Sequence, residues 1–274
     1  MPLAYVNGAL LAEEDARISV FDHGLVVGDG VFETVLLHNG APFALTRHLQ
    51  RLERSATGLG ISPPPSEEVA AAVAAVVGSV DYLLGRIRIT VTAGLGPLGS
   101  GRIPGPPTLV VACSEVEDED HLGRAAIVPW TRNEHGALTG LKTTSYAENA
   151  LALARAAEEG ADEALFANTA GMLCEGTGSN IFVVHEGELV TPPLSSGCLA
   201  GVTRALVLER IAGHEADVPM AELDSPRVTE AFLTSTIRGV QPLACLGRRE
   251  LAAPGPESEK AALCYRELLG EVDP

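Results

Sequence analysis

Seventeen arginines and two lysines make up the cationic side chains of this 274-residue chain. One of the lysines, Lys142, lies in GLKTTSYAEN, an almost uncharged stretch just ahead of a predicted helix. A lysine can do what an arginine cannot: lose its proton and attack a carbonyl as a free amine. Lys260 sits in ESEKAALCYRELLG, a polar helix where a solvated ammonium suffices. Three other stretches carry groups able to hold an anion or a cation. In LAGVTRAL, Gly201 permits close backbone approach, and the N–H groups of Val202 and Thr203 open a helix, which favours an anion. In FLTSTIRG, Ser235 and Thr236 place two hydroxyls at a strand end. In LCEGTGSNIF, Glu175 is a lone carboxylate between a short strand and a Gly-rich turn. Each reads singly as a cap or a solvated group. Arg47, at a helix start, adds a fixed positive charge.

Together these parts match one ligand. Helix and strand ends would hold a phosphate, the amine would meet an aldehyde, and a carboxylate would keep a ring nitrogen protonated. Those are the needs of pyridoxal phosphate. Rival motifs are weaker. Gly94-Leu-Gly96-Pro-Leu-Gly99 matches GxGxxG after a strand, but SGRIPGPP follows where a dinucleotide site needs a helix. It reads as a loop at a pocket mouth. The five cysteines are scattered, with no CxxC pair and no His/Cys cluster at metal spacing, so no metal site is expected.

The elements that must position these groups read as α+β. Asn7-Gly8 marks a hairpin turn after Tyr5-Val6. Strands are predicted over 31–37, 86–92 and 108–112, and helices over 46–57 and 67–77. The acidic run SEVEDEDHLG, residues 114–123, is the expected linker between a smaller domain, 1–113, and a larger one, 124–274, that carries Lys142. There a strand is expected at 125–128. Ser145 and Glu148 have capping-box spacing, which starts a helix near Tyr146 and runs it to Gly160. Strands follow at 163–167, 181–184 and 188–190, then a helix after Gly201 and a strand ending at Ser235. Strict βα alternation is missing, which argues against a doubly wound fold.

Composition narrows the classes further. A net charge of −17 and the absence of a basic stripe exclude a nucleic-acid binder. Every long apolar run is cut by Gly, Pro or charge, so no membrane span is expected. MPLAYVNGAL has neither a basic nor an apolar signal region, and with unpaired cysteines this points to the cytoplasm.

The chain resembles the class IV pyridoxal phosphate-dependent aminotransferases, the fold type IV enzymes. The resemblance is carried in order by DHGLVVGDGVFET, FALTRHLQRL, GLKTTSYAENALALARAAEEGADEALF, CEGTGSNIF, LAGVTRAL and FLTSTIRGVQPL. It implies two α+β domains with the cofactor in the cleft between them, in a homodimer. By resemblance Lys142 is the lysine that links to the cofactor, and Glu175 partners its ring nitrogen. Arg47, the backbone of Gly201, Val202 and Thr203, and Ser235 with Thr236 hold its phosphate, and Tyr146 lies beside the ring oxygen. Phe32 replaces the tyrosine of the D-amino-acid enzymes, and VTAGLGPLG lacks their Arg-x-His pair. The pattern is most similar to aminodeoxychorismate lyase-like members, which release pyruvate and 4-aminobenzoate. Transamination of branched-chain or D-amino acids or amines is the alternative, and a binding protein with little turnover a third. Arg102, in the Gly-rich loop, is the expected contact for a substrate carboxylate.

Overall fold

Residues 3–117 and 122–274 are described by a computed structural model, in which the chain divides into two units. The first comprises Met1–Asp118, Leu141–Tyr146 and Val272–Pro274. The second comprises Glu119–Gly140 and Ala147–Glu271.

In the first unit, β1 (Leu3–Val6) and β2 (Ala9–Ala12) form a hairpin over Asn7 and Gly8, whose φ values are both positive, as a tight hairpin requires. A four-residue turn of helix, α1 (His23–Val26), is capped by the Asp22 carboxylate. Then come β3 (Gly30–His38), β4 (Ala41–Pro42), α2 (Leu45–Leu59), α3 (Ser66–Val77), β5 (Leu84–Thr92) and β6 (Thr108–Glu115). The sheet order is β2-β1-β6-β5-β3-β4, with antiparallel pairing throughout. Alternation sorts its two faces. Val31, Val35 and Leu37 of β3, Ile87, Ile89 and Val91 of β5 and Val111 of β6 are buried against Leu49, Leu52, Val69 and Val73 of α2 and α3. The other face carries Phe32, Thr34, Arg86, Arg88 and Thr90.

The second unit holds β7 (Gly123–Arg132), α4 (Ala147–Glu158), β8 (Glu163–Asn168), β9 (Leu173–Gly176), β10 (Asn180–His185), β11 (Glu188–Thr191), α5 (Val202–Arg210), β12 (His214–Glu215), β13 (Val228–Ser235), β14 (Gly239–Leu246), β15 (Arg249–Glu250) and α6 (Pro256–Leu268). The main sheet runs β12-β11-β10-β13-β14-β7-β8-β9, and β15 pairs with β14. Both faces are covered. Ile181, Val183 and Leu233 face one apolar cluster, while Phe182 and Phe232 stack at 4.9 Å beneath Val207 of α5 and Ala261 of α6. Ala152 and Ala156 of α4 pack on Ala126, Ala164 and Phe166.

The α+β expectation holds. Two local expectations change. Ser145 donates to the Gly28 carbonyl at 3.0 Å and Glu148 pairs with Arg132, so the residues read as a capping box are used elsewhere. The segment with Lys142 packs with the first unit rather than with the residues that follow it. Its backbone continues the β3 edge: Phe32 N–H donates to the Lys142 carbonyl and Thr144 N–H to the Gly30 carbonyl, around a Val31–Thr143 bridge. Of the expected linker, 114–115 end β6, Gly123 opens β7, and 118–121 lie outside the described residues.

Candidate active site

The strand edge decides what surrounds Lys142. Antiparallel pairing of 31 with 143 sets Lys142 opposite Phe32, and cross-strand partners share a face. The Lys142 Nζ accordingly lies 4.5 Å from the Phe32 ring centroid and 6.0 Å from that of Tyr146. Phe32 and Tyr146 meet edge to face at 5.2 Å. The Arg88 guanidinium lies 3.3 Å from the Phe32 centroid. Desolvation lowers the Arg88 pKa to about 10, the largest of several influences, and Arg88 has no carboxylate partner among the described residues. The sequence reading missed it. The clue was RIRITVT, where alternation puts Arg88 on the face away from Ile87 and Ile89, but only the β3–β5 register puts that face beside Phe32.

One residue further along β3, the environment reverses. Glu33 is wholly buried on the α2 side and bonds Arg51 Nε and Nη2 at 2.7 Å each and His48 Nδ1 at 2.7 Å. Burial alone would raise the Glu33 pKa. The Arg51 charge and the hydrogen bonds outweigh it and hold the carboxyl at about 2. Burial lowers His48 below its ordinary range despite Glu33, and the Lys142 charge adds to the lowering. Ser55, one turn past Arg51, accepts a hydrogen bond from Lys142 N–H at 3.2 Å. The α2 face bearing His48, Arg51 and Ser55 thus backs the lysine segment. Arg47, a turn earlier, donates from Nε to the Pro274 carbonyl at 2.8 Å.

Arg102 has a different place from the one expected. Its Nε and Nη2 grip the Asp29 carboxylate at 2.6 and 2.5 Å, and Nη1 and Nη2 also donate to the carbonyls of Gly60 and Leu59. The hydrogen bond from Arg102 leads the causes that hold Asp29 below its ordinary range. His23 Nε2 meets the Pro97 carbonyl at 3.0 Å. Both side chains pin the Gly-rich loop to its own unit, and every nitrogen of Arg102 is used, so its reading as a substrate contact gives way to a clamp.

In the second unit, Glu175 on β9 accepts from Leu199 N–H at 2.9 Å and lies 3.3 Å from Arg132 Nε. Arg132 also pairs with Glu148 at 2.6 Å and stacks 4.1 Å from the Phe166 centroid. Two more expected segments are brought together by Tyr265 of α6. Its buried hydroxyl bonds to the Thr203 side chain and reaches the Thr236 carbonyl at 3.5 Å. Gly239 lies at φ +60°, and a Cβ there would come within 2.7 Å of the Tyr265 ring. The start of α5 has no side-chain cap, so the N–H groups of its first residues, Val202 and Thr203, lack intrahelical partners. Gly201 is needed for space, since a Cβ would meet Asn180 Oδ1 at 2.0 Å. The Thr234 hydroxyl, at 1% exposure, has no partner among the described residues. Uncapped amides, an unsatisfied buried hydroxyl and two further hydroxyls suit a phosphate, so this donor set fits the cofactor the sequence implies.

Beneath them lies Glu163, 1% exposed on β8. It accepts from Thr177 N–H at 2.8 Å, the Thr177 hydroxyl, the Ser179 hydroxyl at 2.8 Å and Arg238 Nη2 at 2.5 Å. Burial raises its pKa, but Arg238 and the hydroxyl donors prevail and lower it. No metal-binding cluster of His, Cys, Asp or Glu occurs among the described residues, and no described helix is long and apolar enough to cross a membrane.

An α+β chain with a lysine on a sheet edge and an amide-and-hydroxyl cradle defines a class of cofactor enzymes rather than one member. The model of the amino-transferase class IV family matches residues 30–245. A putative branched-chain-amino-acid aminotransferase of Methanocaldococcus jannaschii is 36% identical over 248 residues, 87% of this chain and 86% of that protein. The aminodeoxychorismate lyase of Bacillus subtilis is 30% identical over 283 residues, 97% of this chain and 94% of that one. The crystal structure of a branched-chain aminotransferase from Thermoproteus uzoniensis with norvaline superposes with a TM-score of 0.90 at 29% identity, covering 98% of this chain and 95% of that one. The chain belongs to the class IV aminotransferase family, with the fold of the fold type IV transaminases. It is an enzyme of a class that depends on pyridoxal phosphate.

Proposed function

We propose that the chain is an aminotransferase that moves an amino group between a carboxylate-bearing amino acid and a 2-oxo acid. The observation that carries this reading is the cross-strand pairing of Lys142 with Phe32, which sets the Lys142 amine and the Arg88 guanidinium about one aromatic ring. Bound pyridoxal phosphate supplies the aldehyde and the electron-accepting ring. Lys142 Nζ would be the base that receives the proton leaving the amine-bearing carbon of the substrate. Glu175 holds a positive ring nitrogen, and its bond from Leu199 N–H fixes the carboxylate. Val202, Thr203, Ser235 and Thr236 bind the phosphate. Of the three α2 arginines, Arg47, Arg51 and Arg54, Arg51 is the one we assign to that charge, because its face backs Lys142 through Ser55. Phe32 and Tyr146 keep water from the lysine, and Arg88 binds a substrate carboxylate.

The second reading is the aminodeoxychorismate lyase reaction, to which the motifs are most similar and which the Bacillus subtilis relative catalyses by name. It uses the same lysine and the same proton abstraction. The deciding experiment gives holoenzyme L- and D-amino acids with 2-oxoglutarate, and separately 4-amino-4-deoxychorismate. Amino transfer with no pyruvate from the second substrate supports the first reading. Equal release of pyruvate and 4-aminobenzoate, lost in Lys142→Ala, replaces it with the lyase.

The assembly in this reading is a cytoplasmic homodimer. Val20, Phe21, Leu25, Leu95, Leu98 and Ile103 of the first unit are exposed, and the Asp22–Leu95 bridge ties two of the loops that bear them. Surface of that kind favours a partner. All five cysteines are free thiols, as a reducing compartment favours. A monomer in light scattering at micromolar concentration would overturn the dimer.

A further inference from the structure

Arg238 follows the Ser235–Thr236 turn, and no role in the reaction calls for it. Its backbone N–H and its Nε both approach Ser235 Oγ, at 3.3 and 3.4 Å. Its Nη1 donates to Gln241 Oε1 at 3.2 Å, and its Nη2 to Glu163. A serine hydroxyl has two acceptor lone pairs and one proton. With both lone pairs facing Arg238 donors, Ser235 is left to donate only. A group that only donates suits an acceptor without protons, such as a phosphate dianion, and rejects ligands that must themselves donate. Glu163 fixes the other end of the guanidinium. It also holds Thr177 and Ser179, in the turn just after Glu175. One buried carboxylate therefore joins the turn proposed to hold the phosphate to the turn behind the carboxylate proposed to hold the ring.

We propose that Arg238 and Glu163 are positioning residues that make Ser235 an obligate hydrogen-bond donor to the phosphate and lock that turn to the Thr177–Ser179 turn. The inference rests on the cofactor site of the preceding section. It assigns neither residue any contact with substrate. The pair is 27% and 1% exposed at its two side chains, so solvent screens it little.

The test is binding by the full-length apoenzyme, titrated with pyridoxal phosphate and, in parallel, with pyridoxal. Arg238→Met should weaken pyridoxal phosphate binding by about tenfold or more, as loss of a charge-assisted arrangement does, and change pyridoxal binding little. Ser235→Ala should produce a similar phosphate-specific loss. In the double variant the two losses should not add, because both act through one hydroxyl. Equal weakening of both ligands by Arg238→Met would mean a merely structural role and would overturn the inference, as would full additivity. If Ser235→Ala leaves both ligands untouched, the phosphate site itself is misplaced and both readings fall. If Ser235→Ala loses phosphate affinity and Arg238→Met does not, this inference alone falls. Glu163→Gln should mimic Arg238→Met; if that variant fails to fold, Arg238→Met decides.

Discussion

Phe32 and Glu33 are neighbours on β3, yet alternation sends them to opposite faces with opposite electrostatics. Glu33 is met by Arg51 and His48 and every side is closed: a buried carboxylate, a bidentate guanidinium and a neutral imidazole. Phe32 is also met by two cationic side chains, Lys142 and Arg88, but offers them only a ring face. An aromatic face returns far less than a carboxylate does. The α2 side meets its buried charges within the chain, whereas the Phe32 side is the one proposed to receive substrate. In that proposal stability rests mainly on one side of the strand and proton transfer on the other.

The sharpest way to break that division is Lys142→Ala. Turnover should fall by about 10⁴-fold or more while the melting temperature moves little, because the lysine packs on the chemical face. Steady-state assays with thermal melts check both. A melt that collapses with activity would show that this face also supports the fold. Glu33→Ala should act chiefly on stability. Leaving Arg51 and His48 facing an empty buried site should destabilise by about 3–5 kcal/mol in urea titrations. A loss below about 1 kcal/mol would mean that the closed face is not the supporting one.

Acid should expose the same asymmetry. Below pH 6.5 the unfolded chain protonates His48 more readily than the folded one, and below 4.5 it does the same at Glu33. The unfolded state then binds more protons, so stability falls as pH falls, with the Glu33 part lost between about 4.5 and 2. That part is on the order of 3 kcal/mol, and Glu33→Gln should flatten it. An unchanged slope in Glu33→Gln would assign the acid sensitivity elsewhere. Arg88→Gln should raise KM for amino-acid substrates by about tenfold and leave kcat, and primary amines that lack a carboxylate, nearly unchanged. An equal effect on both substrate kinds would remove Arg88 from carboxylate binding. The smallest effect belongs to Arg102→Ala. With that side chain 37% exposed, its clamp on Asp29 should contribute about 0–1 kcal/mol, with the change read as easier proteolysis of the 94–105 loop. Uncut wild-type-like loops would show that the clamp does nothing.

Much of the molecule was legible in its residues. The hairpin at Asn7-Gly8, the strand around Val31–Leu37, both N-terminal helices and the helix after Gly201 stand where periodicity and turn chemistry put them, within the usual slack at their ends. The strand β14 was missed, since GVQPLACL shows neither clean alternation nor β-branched density and includes a proline. Ser145 and Glu148 look like a capping box because spacing is all that the motif specifies. Their true partners, Gly28 and Arg132, are 117 and 16 residues away. Arg51 and Glu163 were passed over for a similar reason. A charged residue in a helix or strand looks solvated until its burial is known.

By itself the sequence determined the elements and the chemical inventory: a lysine among arginines, a glycine-led helix start, hydroxyls at a strand end. Those follow from local backbone preference and from residue type. Which of these groups meet was decided by tertiary structure alone. A single cross-strand register sets Lys142 beside Phe32, and slipping it by one residue would turn the lysine to the opposite face. The distances that make a site are set by packing between segments far apart in the chain, and local sequence pattern carries no record of them.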